Sequence, residues 1–202
     1  PYLKACAGID AFCQAIEAVW SVNADEESEK YALEAIDLVW HNLVAFVLYD
    51  DYSAMEKISE AAFLAGKAIN ITKTTAPHAL SYAFTSFYNI PHGHAVALSL
   101  PFFFKYNYFA TEADCNDQRG ANSVKKRIDK ILKILDVDIE GVFDLLHDFF
   151  FNVELQTNIP ELIPNFDPTI IASNVSIDRL KNNPRSISRN DLLVYVADNL
   201  KI

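Results

Sequence analysis

Glycine is scarce in this chain. Gly8, Gly66, Gly93, Gly120 and Gly141 are the whole supply in 202 residues, and no two are adjacent. A nucleotide-binding turn of the GxGxxG or GGGS type is therefore excluded, and with it the usual way of bringing backbone N–H groups up to a pyrophosphate. Cysteine is also sparse. Cys6, Cys13 and Cys115 are odd in number and widely spaced, so they form neither a disulfide framework nor a CxxC metal knuckle. That usage suits a reducing compartment, and a cytoplasmic location is expected. Cys13 lies in an apolar helical pattern and reads as a small buried hydrophobe. No apolar run reaches the ~18 residues of a membrane span, and no charged-then-apolar leader opens the chain. The overall charge is also acidic. A net charge of −10 excludes a phosphate-binding surface of the kind nucleic acids need and gives no support for an anionic membrane.

About half of the residues are apolar (51%) and 22% are charged, which allows one sizeable core. Apolar residues recur at helical spacing, and few alternating runs bounded by turn residues occur, so the expected class is all-α. The pattern predicts a helix over about 9–20 and, after a capping box at Asn23 and Glu26, another to about 48. A third, capped by Ser53, should run to about 70, and Thr75 should cap a fourth with Pro77 in its first turn. Asn89-Ile90-Pro91 breaks the pattern, and a new helix starts near His92. A polar loop is expected over 111–121, with helices over about 123–135 and 139–153. Pro160, Pro164 and Pro168 predict short helices and turns, and Ser188 with Asp191 starts a last helix to about Leu200. The triple phenylalanines at 102–104 and 149–151 read as core rather than as a membrane or partner surface. His41 and His147 have no supporting context.

Two histidines stand at helix starts on either side of a tight return, His78 and His92. Asp10 puts an acid into the otherwise apolar face of the first helix, where an unpaired carboxylate would be costly to bury. Gln14 follows one turn later on the same face. Gly93, directly after His92, allows close backbone approach. Histidines and a carboxylate converging on one point, with room left over, are what a divalent cation requires.

The segment Gly8-Ile9-Asp10-Ala11-Phe12-Cys13-Gln14-Ala15-Ile16-Glu17 resembles the GxDAxxHAxE segment of the iron-containing, group III alcohol dehydrogenases. Ala65-Gly66, His78, then Tyr88-Asn89-Ile90-Pro91-His92-Gly93-His94-Ala95 up to Leu100-Pro101 resembles that family's second signature. The 13 residues between His78 and His92 match its spacing. Asn182-Asn183-Pro184-Arg185 also looks like the family's last turn. The resemblance implies the helical, bundle-like C-terminal domain of the iron-containing alcohol dehydrogenase and dehydroquinate synthase-like fold. Residues 1–202 would form a single metal- and substrate-binding domain, without the N-terminal α/β nucleotide-binding domain.

By the same resemblance, Fe2+ (or Zn2+) would be held by Asp10, His78 and His92, with Gln14 where a histidine is usual. The metal would polarise an alcohol or carbonyl oxygen while hydride passes to or from NAD or NADP. Gln14 leaves three possibilities: a neutral oxygen ligand, a water in its place, or loss of the metal. Tyr82 falls where many members carry another histidine, and with His94 it is a catalytic candidate. Lys73-Thr74-Thr75 and the extra His94 look like a subgroup of reductases of phosphonate-bearing aldehydes, which suggests an anion pocket. The alternative is a simple helix cap with Lys73 solvated. The expected partners are a small alcohol or aldehyde and further copies of the chain. Without a nucleotide-binding domain the chain alone should be inactive, and a non-catalytic helical metal-binding or interaction module is the competing expectation.

Overall fold

A computed structural model describes residues 1–199. It contains twelve helices among those residues and no strand, only an isolated antiparallel bridge between Cys115 and Arg185. Helix α1 (Tyr2–Trp20) is the axis of the domain. Ala, Gly and Cys at Ala5, Cys6, Gly8, Ala11, Cys13, Ala15 and Ala18 keep it thin, so neighbours pack against nearly its whole circumference. The long helices α2 (Glu26–Tyr49) and α3 (Tyr52–Thr72) form a hairpin against one side of it. On another side lie α4 (Ala76–Tyr88) and the short α5 (His92–Ala97). Then come α6 (Leu100–Tyr108), α7 (Ala121–Leu135) and α8 (Val142–Asn152). The short α9 (Ile159–Leu162), α10 (Pro168–Asn174) and α11 (Ile177–Leu180) lead to α12 (Arg189–Asn199).

The all-α class is borne out, and local details differ from expectation for identifiable reasons. The second helix is opened by Asp25 and Ser28, whose side chains bond each other's backbone N–H groups. Asn23 instead donates to the Thr72 carbonyl and to Asn182. Asp51, not Ser53, caps α3, accepting from the Ala54 N–H at 2.8 Å. Thr75 does stand at the start of α4, but its hydroxyl makes no cap. Ser188 and Asp191 bond reciprocally ahead of α12, as expected; the expected end near Leu200 falls outside the described residues. Phe103, Phe104, Phe149 and Phe150 are buried, Phe102 is half-buried, and Phe151 is exposed. Cys13 is fully buried. Among the described residues, α2 has the length and apolarity of a membrane span. Its Ala32, Ala35, Ile36, Val39, Leu43 and Val47 are buried in the domain core.

A buried ionic cluster fixes the C-terminal end of α1. Asp117, 4% exposed, bonds both Arg119 and Arg127. Arg127 donates to the Ser21 carbonyl at 3.0 Å, while Arg119 donates to the carbonyls of Ser21, Val22 and Ala24. Cations thus hold the carbonyls of the C-cap and of the turn that follows α1, where positive charge is favoured. Asn182-Asn183-Pro184-Arg185 reinforces this end: Asn182 O accepts from the Val22 N–H, and Asn183 pairs with Asn107. Burial alone would raise the Asp117 carboxyl, but bonds from Arg119 and the charge of Arg127 overcome it and hold the group below its usual range.

A carboxyl depressed in the fold stabilises fully above its unfolded pKa of ~3.9, and that stabilisation is lost as pH falls through the folded value. Asp117→Asn should therefore lower the unfolding free energy at pH 7 by about 3–5 kcal/mol, since it leaves the buried Arg127 guanidinium without a counter-charge. Urea titrations of both proteins should show the gap narrowing below about pH 4.

Candidate metal centre

Helix α3 ends at Lys73 in a backbone conformation unusual for a side-chain-bearing residue (φ 60°, ψ 168°). Such conformations cost about 1–3 kcal/mol and persist only where surroundings enforce them. Here the turn carries Thr74 and Thr75 across the end of α1. Thr75 is buried; its N–H donates to Glu17 Oε2 at 2.6 Å and its hydroxyl donates to the same oxygen at 2.8 Å. Trp20 Nε1–H in turn donates to the Thr75 hydroxyl at 2.9 Å. Glu17, fully buried, gives its other oxygen to His78 Nδ1 in a close contact. One carboxylate therefore ties α1 to the first turn of α4 and fixes which face of the His78 ring looks outward.

At the far end of α4, Asn89 adopts the left-handed conformation (φ 56°) that asparagine tolerates, and Ile90-Pro91 returns the chain into α5. That return lays His92 beside His78, with ring centroids 5.2 Å apart. Gly93 is required here: a Cβ would meet the Cys6 carbonyl oxygen at 2.0 Å and Asp10 Cβ at 2.9 Å. The glycine lets α5 lie on α1 at the level of Asp10.

Asp10, His78 and His92 consequently offer donor atoms that all lie within 4.8 Å of one another. His78 Nε2 is 3.4 Å and His92 Nε2 3.8 Å from Asp10 Oδ1. The outer atoms are already engaged: His78 Nδ1 by Glu17, His92 Nδ1 by the Ser81 hydroxyl at 3.2 Å, and Asp10 Oδ2 by Gln14 Nε2 at 2.7 Å. The inner atoms Asp10 Oδ1 and His78 Nε2 are buried without a hydrogen-bond partner. Two such orphans facing each other are costly unless something occupies the space between them. For His78, burial acts to lower its pKa, but the charge and bond of Glu17 and the nearby Asp10 carboxylate outweigh it and lift it to about 9. Burial pushes His92 down despite the pull of Asp10.

A cavity of about 510 Å³ opens beside these donors, lined by residues that include Gln14, Lys73, Thr74, Tyr82, Arg179 and Asn182. In a chain of net charge −10, the charged side chains of this lining are two cations, Lys73 and Arg179, and no acid. Tyr82 stacks near His92 at 5.3 Å, and its hydroxyl accepts from Arg179 Nη1 at 2.9 Å while the guanidinium lies over its ring.

Asp10, Gln14, His78, His92 and Tyr82 are thus gathered in one place. Lys73 and Thr74 reach the same cavity, although the Lys73 ammonium also bonds the Asn70 carbonyl. Thr75 does not join them, because its hydroxyl is spent on Glu17 and Trp20, which removes both the cap and the anion role expected of it. His94 is likewise turned away: Tyr2 hydroxyl and the Gln156 carbonyl hold its two ring nitrogens at 2.9 and 2.6 Å. Two positions away on a helix is the opposite side, so proximity in sequence to His92 misleads. Glu17 and Arg179 were not anticipated. Glu17 stands within the first motif as an acid amid apolar residues, a signal that was available; Arg179 lies in a short exposed helix with nothing local to mark it.

An all-α domain with two histidines and an aspartate converging beside a polar cavity defines a helical domain with a candidate metal site. Residues 4–199 match the C-terminal part of the Fe-containing alcohol dehydrogenase family, and the chain belongs to that family. Phosphonoacetaldehyde reductase of Streptomyces viridochromogenes is 34% identical over 125 residues, covering 61% of this chain and 31% of the relative. Sulfoacetaldehyde reductase of Bilophila wadsworthia is 28% identical across 100% of this chain and 52% of its own length. Among solved structures, sulfoacetaldehyde reductase from Bifidobacterium kashiwanohense in complex with NAD+ superposes with a TM-score of 0.77 at 28% identity. It covers 97% of this chain and 50% of that one. An iron-containing alcohol dehydrogenase from Thermococcus thioreducens reaches 0.84 at 18% identity, which speaks for the fold alone; it covers 100% of this chain and 51% of that one. The chain spans about half the length, or less, of these relatives.

Glu17→Gln replaces an acceptor that serves three donors with a group that must turn an N–H toward one of them. The expected loss of unfolding free energy is about 3–5 kcal/mol, measured by urea denaturation of the chain against wild type.

Proposed function

We propose that this domain supplies the metal site and substrate walls of an NAD(P)-dependent alcohol dehydrogenase or aldehyde reductase. The carrying observation is the pair of buried, partnerless atoms, Asp10 Oδ1 and His78 Nε2, facing each other with His92 Nε2 close by. Two imidazoles and a carboxylate suit Fe2+ or Zn2+, and the outer atoms of all three donors are already engaged, as metal-binding side chains require. When bound, such an ion acts as a Lewis acid on an alcohol or carbonyl oxygen. The protein's own part is to hold that oxygen's carbon at the cavity, and Tyr82 has a hydroxyl proton left over after accepting from Arg179. His94, bonded at both nitrogens, takes no part in this reading. The hydride carrier would need a phosphate-binding element that this glycine-poor sequence does not contain. A family relative has been solved with NAD+, which supports a nicotinamide in the complete enzyme. Further copies of the chain and a cytoplasmic location remain part of this proposal.

The cation pair at the cavity favours a substrate with an anionic tail. Lys73 and Arg179, with the Thr74 hydroxyl, can meet a phosphonate, sulfonate or carboxylate while its aldehyde end reaches the donors. Relatives named for phosphonoacetaldehyde and sulfoacetaldehyde support this class.

Purified chain stripped with chelator should bind one Fe2+ or Zn2+ per molecule by metal analysis and calorimetry. Asp10→Ala and His78→Ala should weaken binding by more than the ~10–100-fold typical of an outer-shell change. Absence of binding at saturating ion would overturn the enzyme reading in favour of a non-catalytic helical module. In the complete reductase, Arg179→Ala should raise KM about tenfold for an anionic aldehyde and leave a neutral one unchanged, by NAD(P)H oxidation.

A further inference from the structure

Gln14 occupies the position at which the first motif leads one to expect a histidine ligand, yet its amide is turned elsewhere. Its Nε2 donates to Asp10 Oδ2 at 2.7 Å, one helical turn back along α1. The opposite amide orientation would set Oε1 against a carboxylate oxygen, so the neighbour itself dictates the assignment. Asp10 Oδ2 has no other hydrogen-bond partner among the described residues, and Oδ1 has none. Each of the three donor side chains is thereby held from behind by one group: Gln14 on Asp10, Glu17 on His78 and Ser81 on His92.

We infer that Gln14 is a positioning residue and not a ligand: it fixes Asp10 as a single-oxygen donor, so a divalent ion here has three protein ligands. The inference rests on the metal reading above. A glutamine oxygen is a weak donor for iron or zinc beside imidazole, and swinging it toward the ion would strip Asp10 of its support. The geometry therefore favours leaving the fourth protein position to water, on the side where Gln14 and His92 line the cavity. An ion so held is bound less tightly than with a third imidazole and exchanges ligands freely on that side.

Mn2+ alone serves as the probe, because it favours six-coordinate oxygen-rich sites and its effect on bulk-water proton relaxation counts coordinated waters. The 202-residue chain loaded with Mn2+ should show about three coordinated waters, against about two if Gln14 ligates. Gln14→Leu keeps the size and removes the amide. It should add no coordinated water, and the Asp10 oxygen it frees can displace one; Mn2+ binding should weaken by about 10–100-fold, read from free Mn2+ by electron paramagnetic resonance. Gln14→His should tighten binding and displace one water. A wild-type count of two, a water gained in Gln14→Leu, or unchanged affinity in Gln14→Leu would each overturn the assignment. Should Gln14→Leu fail to fold by circular dichroism, the wild-type count still decides. A wild-type chain that takes up neither Mn2+ nor Zn2+ would instead remove the metal reading on which this one stands.

Discussion

The buried Glu17 carboxylate is the constraint on which the candidate site depends. It sits in the last turn of the axial helix α1, accepts from the backbone N–H and hydroxyl of Thr75, and holds His78 by Nδ1. A carboxyl group buried there is tolerable because both of its oxygens have partners. The same bonds decide that α4 starts where it does and that His78 presents Nε2 to Asp10. Fold and site are therefore joined at one residue: to move the helix start is to turn the ring.

Around this point the domain is built so that α1 can be approached from all sides. Small residues on α1 let α2, α3 and α5 close in, and Gly93 removes the one side chain that would keep α5 from Asp10. At the end of α1, a second buried carboxylate, Asp117, organises two arginines that hold the carbonyls of the C-cap and of the turn that follows. Two acids are buried among the described residues, Glu17 and Asp117, and both fix backbone groups, while the cavity beside the donors is lined by Lys73 and Arg179.

Much of this was legible before any coordinates. Helical periodicity, the Asn89-Ile90-Pro91 break and the positions of Asp10, His78 and His92 pointed to these elements and to three side chains that the fold brings together. Where the reading failed, a local rule met a tertiary competitor. Thr75 is at a helix start and ought to cap it, but its hydroxyl donates to Glu17 and accepts from the Trp20 indole N–H in place of a helix N–H. Asn23 and Ser53 sit next to better caps, Asp25 and Asp51. His94 shares a motif with His92 yet lies on the other side of α5, bonded to Tyr2 and Gln156, residues 92 and 62 positions away.

Composition and pattern alone determined that this is a helical domain whose sequence has no glycine-rich phosphate loop, and put His78 and His92 at helix starts on either side of a tight return. Periodicity does that because it is set by 3.6 residues per turn, whatever the neighbours are. Only the tertiary structure decided which atom of each donor faces inward, that Gln14 supports Asp10, and that Arg179 enters the cavity. Those outcomes depend on contacts between residues far apart in the chain, and side-chain orientation follows the partner that packing brings within reach.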